Sequence, residues 1–311
     1  MLRRGESGAD AAELAHRGRR AGATPGIVRR GEGIFPAALL DLDNPPGQLH
    51  FLGTIEALEG APDRLVAIVG TRDSSPYGFR VATELARAFA AAGIGVVSGM
   101  ARGIDAAAHR AAMEAGGWTI AVLGTGVDVP YPASHRELHA EIAREGLVLS
   151  ECEPGTPAQK GCFPRRNRII AALAKVTIVV EAPYKSGAVN TATQAFGLCR
   201  TVAAVPGLID SARSAGSNLL LRDGAHVIAT VDDALGFYGE ASQKDTHSMP
   251  ALGELEAQVW DALSPGSASP EVLGMRAGLP MRQVLEGVAR LELCGMVQQG
   301  ALGEVERLVM R

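Results

Sequence analysis

Apolar positions between residues 65 and 237 fall into short runs, and alanine-rich segments with helical spacing separate them. These runs predict seven strands, at Leu65–Val69, Ile94–Val97, Thr119–Leu123, Leu147–Ser150, Val176–Val180, Thr201–Val205 and Ala225–Ile228. Strands that are apolar on both faces and alternate with helices are typical of a parallel sheet covered on both sides. We therefore predict an α/β fold with an extended Rossmann-like parallel sheet.

The chain before residue 65 lacks this regular alternation. Residues 1–33 contain seven arginines and four acidic residues, and we expect them to form a flexible N-terminal arm. Residues 34–64 form an irregular lead-in, in which Leu49–Gly53 predicts an edge strand. The Rossmann-like domain is predicted to span residues 34–238.

The C-terminal part has a different pattern. The polar residues 239–250 predict a linker. Residues 251–311 predict three helices followed by a hairpin, which is the arrangement of a winged helix. This segment carries five basic and eight acidic residues. A helix that reads a DNA groove needs a positive face, so we predict that the winged helix contacts protein rather than duplex DNA.

Composition and charge limit the classes of function. The formal net charge is −4 and aromatic residues make up 4% of the chain, so a nucleic-acid site must rest on a local basic patch. The cysteines contain no C-x-x-C pair, which favours free thiols in a reducing compartment; they are Cys152, Cys162, Cys199 and Cys294. No long apolar run or signal peptide is recognisable, and we expect a cytoplasmic protein that does not bind membranes.

The densest basic patch is the segment KGCFPRRNRII at residues 160–170, with four cations in nine residues. Pro164 predicts a helix that starts just after it, near Asn167. The arginines then lie at the positive end of a helix, which is unfavourable unless an anion lies between them. The segment therefore predicts a phosphate site, with a solvated basic turn as the alternative.

Small residues and cations also follow the predicted strands. The carboxyl ends of parallel strands meet at one edge of the sheet, where ligands bind. The candidate residues at this edge are Gly70, Thr71 and Arg72, then Ser98, Gly99 and Gly103, then Gly124, Thr125 and Gly126, and finally Lys185, Ser186 and Gly187. Small residues allow a backbone to approach a ligand, so this series predicts a binding groove.

Two common nucleotide-binding motifs are missing from the sequence. No G-x-G-x-x-G opens the first helix and no G-x-x-x-x-G-K-[ST] occurs, which disfavours NAD binding and P-loop hydrolysis. Asp105 and His109 share a helix face. Without a nucleophile or metal ligands nearby, we expect Asp105 to cap the helix and His109 to pack. No cofactor or metal is predicted.

Several segments, in order, resemble the DprA/Smf family, the DNA-processing proteins of natural transformation. They include Val66–Arg72, Val97–His109, Ala121–Asp128, Tyr131-Pro132, Phe163–Ala171, Ala204–Gly207 and Gly216–Ala225. The resemblance implies a non-enzymatic homodimer that binds and protects single-stranded DNA and loads the RecA recombinase. It also implies phosphate contacts from Arg72 and Lys160. A pocket lined by Arg166, Asn167 and Arg168 is implied as well, with Arg165 in the same segment.

The chain departs from the family pattern at two places. His135 stands where the family usually has asparagine, and Val189-Asn190 replaces an apolar pair. For Arg72, the alternative to a phosphate contact is an ion pair with Glu151 or Glu181. We expect one of these acids to pair with at least one arginine of the 165–168 segment.

A nucleotide-acting enzyme is the alternative to a single-strand-binding protein. Related Rossmann-like folds include phosphoribohydrolases that act on nucleotides, and these carry a Pro-Gly-Gly-x-Gly-Thr turn. Neither Gly124-Thr125-Gly126 nor Pro206-Gly207 supplies it. Because aromatic residues are scarce, we expect backbone phosphate contacts to dominate and the affinity to fall steeply with salt. The winged helix is expected to contact the dimer partner or RecA.

Overall fold

The computed structural model describes residues 25–58, 62–240, 252–264, 266–293, 296–300 and 303–307. Residues 1–24 of the expected arm and most of the expected linker lie outside these ranges. The chain divides into two compact units, Met1–Ala241 and Ser242–Arg311. Within the described ranges, no helix combines the length and the apolar character that a membrane span requires.

The first unit is built on one sheet. Its strands are β1 (Pro25–Arg29), β2 (Gln48–Gly53), β3 (Leu65–Val69), β4 (Gly95–Ser98), β5 (Thr119–Leu123), β6 (Leu147–Ser150), β7 (Val176–Val179), β8 (Thr201–Ala204) and β9 (His226–Val227). The seven strands predicted from the apolar runs are all present, with ends that differ by at most one residue. The order across the sheet is β1-β2-β6-β5-β4-β3-β7-β8-β9.

In the described part of this unit, seven helices connect and cover these strands. They are α1 (Pro76–Ala91), α2 (Ile104–Glu114), α3 (Arg136–Glu145), α4 (Cys162–Leu173), α5 (Gly187–Gly197), α6 (Ala215–Arg222) and α7 (Val231–Gly236). Short 3₁₀ turns lie at Ala37–Asp41, Ile55–Leu58, Pro62–Arg64 and Ala133–His135. The side chains of Ser75 and Ser186 cap α1 and α5 by accepting a backbone N–H from the first turn.

The sheet is mostly parallel rather than wholly parallel. β2 runs antiparallel to both β1 and β6, and every other pair of neighbours is parallel. The expectation of an edge strand at Leu49–Gly53 is therefore wrong, because β1 covers that edge. β1 also corrects the expected arm, since Pro25–Arg29 is ordered by pairing with β2. Gly26 permits this pairing, because a Cβ there would lie 2.6 Å from a ring carbon of Phe51.

The basic segment begins its helix earlier than predicted. α4 starts at Cys162, directly after Gly161, whose φ of 99° ends the preceding loop. Pro164 is accommodated because the first turn of a helix has N–H groups without intrahelical partners. The arginines consequently lie within the first two turns of α4 and not before the helix.

The core lies on both faces of the sheet, as alternation along β3 shows. Leu65, Ala67 and Val69 pack with residues of α4 and α5. Val66 and Ile68 point to the opposite face and pack with α1 and α2. Burying each large aliphatic side chain contributes about 1.5–3 kcal/mol. The helices therefore fix the strand ends, and the loops after β3, β4, β5 and β6 meet at one edge.

The second unit contains three helices and a hairpin. They are α8 (Glu254–Ala262), α9 (Pro270–Ala277), α10 (Met281–Leu293), β10 (Val297–Gln299) and β11 (Val305–Arg307), with β10 and β11 antiparallel. Leu273, Val284 and Leu291 are fully buried between the helices. This arrangement is the winged helix predicted from the sequence.

Candidate nucleic-acid interface

A cavity of about 130 Å³ opens where the loops after β3, β4 and β5 meet the start of α4. Its lining consists of Arg72, Gly99, Ala101, Arg102, Tyr131, Pro132, Ser134, Phe163 and Arg166. Three of these residues are arginines, and none of the described residues lining the cavity is acidic. A concave site with this charge attracts anions.

Arg72 is one of two exposed cations that line this cavity, and Arg102 is the other. The guanidinium carbon of Arg72 lies 5.7 Å from the ring centroid of Phe163, within the range of a cation–π contact. Among the residues that the structure describes, it forms no ion pair with a carboxylate. The alternative in which Glu151 or Glu181 neutralises Arg72 is therefore not what the structure shows.

Arg166 forms the buried wall of the cavity. Its Nη1 donates to the carbonyl of Gly99 at 2.8 Å and also to the carbonyl of Val122. Burial lowers the pKa of Arg166 to about 10, and nearby Asp105 opposes this effect. A charge so placed is costly unless it is paired, so Arg166 holds the end of β4 against β5.

Asp105 fixes the loop between β4 and α2. It is buried, and its carboxylate accepts the backbone N–H groups of Gly99 at 3.2 Å and Ala101 at 3.3 Å. Burial raises its pKa, while the charge of Arg166 opposes that rise. The helix cap is Gly103, so the expectation that Asp105 caps α2 is wrong. Asp105 instead orients the loop that carries Arg102.

His109 and His135 stabilise the same region from within. His109 is fully buried and its Nδ1 lies 2.7 Å from the hydroxyl of Thr119, which itself donates to Val96. Burial lowers the pKa of His109 to about 3, so the ring is neutral. His135 contacts the carbonyl of Met100 through Nδ1 at 3.0 Å. Met100 has a φ of 55°, a conformation that a long side chain adopts at a cost.

Most glycines of the predicted groove serve packing within the protein. A Cβ on Gly70 would lie 2.5 Å from Ile104, and one on Gly99 would lie 2.5 Å from Nη1 of Arg166. The position that a Cβ would take is also occupied at three other glycines: at Gly103 by the backbone of residues 71 and 72, at Gly124 by Phe163, and at Gly126 by the carbonyl of Glu153. Gly99 also lines the cavity, and contact of these glycines with a ligand stays a prediction. They allow the loops to pack closely enough to form the cavity.

The small hydroxyl residues also have internal roles. Ser98 donates to the carbonyl of Ile68 and Thr125 to that of Val129, each at 2.7 Å. Thr71 accepts the backbone N–H of Asp73. All three side chains are buried. Their predicted contact with a ligand is not supported by this geometry.

Glu151 occupies two arginines of the basic segment. Nη2 of Arg168 donates to both carboxylate oxygens, at 2.7 and 2.6 Å, and Nε of Arg165 lies 3.0 Å from one of them. The hydrogen bond to Glu151 raises the pKa of Arg165. The expectation that one of these arginines pairs with an acid is confirmed for both. Their charge available to a phosphate is correspondingly smaller.

Asn167 connects α4 to α5 and does not line the cavity. Its Nδ2 donates to the carbonyl of Gly187 and to Oδ1 of Asn190, both at 3.1 Å. Asn190 is one of the departures from the family pattern, and here it provides a polar partner inside this contact. Ser186 caps α5 and Lys185 is exposed, and neither lines the cavity.

Lys160 lies in the loop between β6 and α4. Its side chain is exposed, and the described residues include no carboxylate paired with it. Gly161 follows it with an open, left-handed backbone. Lys160 does not line the cavity, and it lies three residues before Phe163, which does. Its phosphate contact stays a prediction.

The sequence prediction missed Arg102 and Tyr131. Both belong to segments that carry the family resemblance, but neither was singled out as a contact residue. The ring of Tyr131 lies 5.1 Å from that of Phe163. Together these rings provide an aromatic surface beside Arg72.

From β3 to β6 the strands are added toward one edge of the sheet, and from β7 to β9 toward the other edge. The topological switch point therefore lies between β3 and β7, and open α/β sheets often bind ligands at such a point. Glu181 occupies this position and accepts the backbone N–H of Ser75 at 2.8 Å. The cavity is instead displaced toward β4 and β5. Among the described residues, no group of three or more His, Cys, Asp or Glu side chains is placed to hold a metal ion.

Comparison with known protein families identifies this architecture. Residues 26–239 match the profile described as DNA recombination-mediator protein A, and residues 243–301 match the DprA winged helix domain. The chain belongs to the DprA/Smf family.

Individual relatives show the same similarity. A putative DNA processing protein DprA of Mycobacterium tuberculosis is 42% identical over 260 residues, which are 81% of this chain and 67% of that protein. The DprA of Streptococcus pneumoniae is 39% identical over 201 residues, covering 65% of this chain and 70% of the relative.

Two solved structures share the fold. The S. pneumoniae DprA structure has a TM-score of 0.64 and 34% identity, over 71% of this chain and 76% of the other. A DNA processing protein A from Helicobacter pylori, whose single-stranded DNA binding mode was described, has a TM-score of 0.61 and 31% identity. That match covers 68% of this chain and 94% of the H. pylori chain.

Three of the four arginines in the described part of the winged helix make internal contacts, and the fourth, Arg282, is exposed. Arg290 pairs with Glu256 at 3.0 Å and Glu286 at 2.6 Å. Arg276 donates to a helix carbonyl, and Arg307 lies 4.2 Å from the ring centroid of Trp260. A surface whose arginines are mostly paired within the domain attracts duplex DNA weakly. The prediction that this domain contacts protein remains a prediction.

Proposed function

We propose that this member of the DprA/Smf family binds single-stranded DNA at the cavity and acts as a recombination mediator. One observation supports this most strongly: Arg72 and Arg102 are exposed at a cavity that contains no acidic side chain among its described lining residues. Each of these guanidinium groups can hold a phosphate of a strand that crosses the cavity. The H. pylori relative, whose structure concerns single-stranded DNA binding, supports the same conclusion.

The strand is held in two ways. Arg72, Arg102 and Lys160 contact phosphates, while the rings of Phe163 and Tyr131 accept a base that has left the stack. Stacking of one base on an aromatic ring contributes about 1–3 kcal/mol and depends little on sequence. We therefore expect weak sequence preference and stronger binding of single strands than of duplex.

Family membership supports a proposal for the finer biological role. We propose that the protein is a cytoplasmic homodimer that protects incoming single strands and loads RecA onto them during transformation. The alternative of a nucleotide-cleaving enzyme lacks support, because such an enzyme needs a catalytic carboxylate. Within the described lining of the cavity there is none, and Asp105 is committed to backbone N–H groups.

The binding proposal is tested by fluorescence anisotropy with a labelled single strand at increasing salt. Each phosphate contact contributes a slope of about −0.7 in log K against log salt, so three cations predict a slope of about −2. A duplex of the same sequence should bind more weakly. A flat salt dependence, or equal binding of the duplex, contradicts the proposal.

The mediator role has a separate test. RecA-catalysed strand exchange on DNA coated with a single-strand-binding protein should start sooner when this protein is added. Nucleoside monophosphates incubated with it should release no free base. An unchanged lag before strand exchange counts against RecA loading, and release of base favours the enzyme instead.

A further inference from the structure

Two cysteines border the loop that carries Lys160. Cys152 lies two residues after the end of β6, and Cys162 is the first residue of α4. Neither is fully buried or fully exposed. Nine residues separate the two cysteines in the sequence, and they form no recognised motif.

The fold brings both cysteines to Gly124. The thiol of Cys152 donates to the carbonyl oxygen of Gly124 at 3.6 Å. A Cβ on Gly124 would lie 3.2 Å from the carbonyl carbon of Cys162, so the backbone of α4 packs directly on that glycine. Cys162 is close enough to contribute to the raised pKa of the Cys152 thiol. The side chain of Cys152 and the backbone of Cys162 therefore meet at the same glycine.

Burial and a neighbouring cation act in opposite directions on the thiol of Cys152. Burial is the main cause that raises the pKa of Cys152, and the nearby Arg165 opposes it. Arg165 interacts with both cysteines. A cation beside a thiol stabilises the thiolate, which is the reactive form.

The loop between the cysteines is anchored at one end. Gly126 donates to the carbonyl of Thr156 at 2.9 Å, and Gly155 donates to Asp128 at 2.7 Å. Residues 157–161 form no such hydrogen bond to the segment after β5. The N–H of Cys162 donates to the carbonyl of Gln159 at the end of this loop. Lys160 lies in this second half, so its reach depends on the freedom of residues 157–161.

We propose that Cys152 and Cys162 form a reversible disulfide that restrains Lys160 and weakens the binding of single-stranded DNA. The regulatory part of this proposal rests on the proposed function, whereas the disulfide itself does not. Bond formation requires the Cα atoms to approach within about 4.4–6.8 Å. It closes the loop at its base and removes the conformations in which Lys160 extends to a phosphate.

Hydrogen peroxide serves as the oxidant. One thiolate attacks a peroxide oxygen, so an S–O bond forms, the O–O bond breaks and hydroxide leaves as water after taking a proton. The second thiolate attacks the sulfenic sulfur, an S–S bond forms, the S–O bond breaks and a second water leaves. Two thiols and one peroxide thus give one disulfide and two waters. A dithiol reductant reverses the reaction.

Mass spectrometry tests the bond directly. The full chain carrying Cys199→Ser and Cys294→Ser is treated with peroxide and digested with trypsin without reduction. Because trypsin cleaves after Lys160, the two cysteines fall in separate peptides, which should be recovered linked and two hydrogens lighter. Dithiothreitol should release them. Recovery of both cysteines as unlinked peptides overturns the proposal.

Binding tests the consequence. The oxidised protein should bind a labelled single strand about tenfold more weakly, the same loss as Lys160→Ala in the reduced protein. Oxidation should leave Lys160→Ala without further loss, and Cys152→Ser should bind like the reduced parent before and after peroxide. A linked protein with unchanged affinity, or a Lys160→Ala variant that loses a further tenfold, overturns the regulatory claim.

The two proposals fail in distinguishable ways. A reduced protein that does not bind single strands refutes the proposed function and with it the regulatory role. The linked peptides are still decisive for the disulfide, because their detection requires no DNA.

Discussion

Replacing Glu151 by glutamine tests which arginines of α4 stabilise the fold and which contact DNA. Glu151 and Arg168 are 15% and 14% exposed at their side chains, and two short hydrogen bonds join them. Breaking a fully buried pair costs about 3–5 kcal/mol, and an exposed pair less than about 1. With this partial exposure, we expect Glu151→Gln to lower the free energy of unfolding by about 2–3 kcal/mol.

The assay is thermal unfolding, with an exposed ion pair as control. For a unit of this size, 1 kcal/mol corresponds to about 2–4 °C in Tm, so a loss of about 4–12 °C is expected. Arg87 and Glu114 form a pair at 2.8 Å whose side chains are more than half exposed. Glu114→Gln should therefore change Tm little. Equal, small shifts in both variants would refute the claim that Glu151 anchors α4.

The same variant makes a second, opposite prediction for binding. Removing the carboxylate leaves Arg165, which is 62% exposed, without its partner. The freed cation should strengthen binding of a single strand and steepen the salt slope by up to about 0.7. If the folded variant binds more weakly than wild type, Glu151 positions the cavity through α4 rather than neutralising it.

The remaining predictions concern the core, the cavity wall and the second unit. The pKa of His109 is about 3 in the fold against 6.5 when unfolded, so the unfolded state binds more protons below pH 6.5. Stability should fall by about 2 kcal/mol between about pH 7.5 and 5 in urea titrations, and His109→Gln should abolish this dependence; an unchanged dependence contradicts it. Gly99→Ala places a methyl 2.6 Å from Cζ of Arg166 and should cost about 1–3 kcal/mol and weaken binding, whereas Gly197→Ala, in open space, should cost nothing measurable. Equal effects of these two alanines would contradict the role of Gly99. A chain that ends at Ala241 should still retard single-stranded DNA in a gel, and loss of retardation with the dimer intact would show that the winged helix binds DNA.

The sheet was predictable because its signal is local. Buried parallel strands require apolar runs, and these are unambiguous from Leu65 onward. β1 was not predictable from the sequence, because Pro25–Arg29 lies in an arginine- and glycine-rich segment. It is stabilised by pairing with β2 rather than by its own composition. α3 was also missed, since its apolar residues Leu138 and Ile142 are too few to dominate the pattern.

The arginines of α4 show which features of the site the sequence did not predict. Arg165 and Arg168 are three apart on one helix face, so both reach Glu151. Arg166 is rotated by about 100° from its neighbour and points into the cavity wall. The sequence predicted a helix start at Asn167 rather than Cys162, so it did not predict which face of α4 each arginine occupies. Which strand-end glycines face a ligand also depends on loop packing, and no residue pattern encodes that.

Single-strand binding by Arg72→Ala and Lys160→Ala tests the central claim most directly, with Arg87→Ala as the control for an exposed arginine elsewhere. Losing a charged phosphate contact costs about 1.5–3 kcal/mol, so Arg72→Ala should bind about 10- to 150-fold more weakly. Each site variant should flatten the salt slope by about 0.7, and Arg87→Ala should match wild type. Folded Arg72→Ala and Lys160→Ala proteins that bind like wild type, with unchanged slopes, would contradict a DNA site at this cavity.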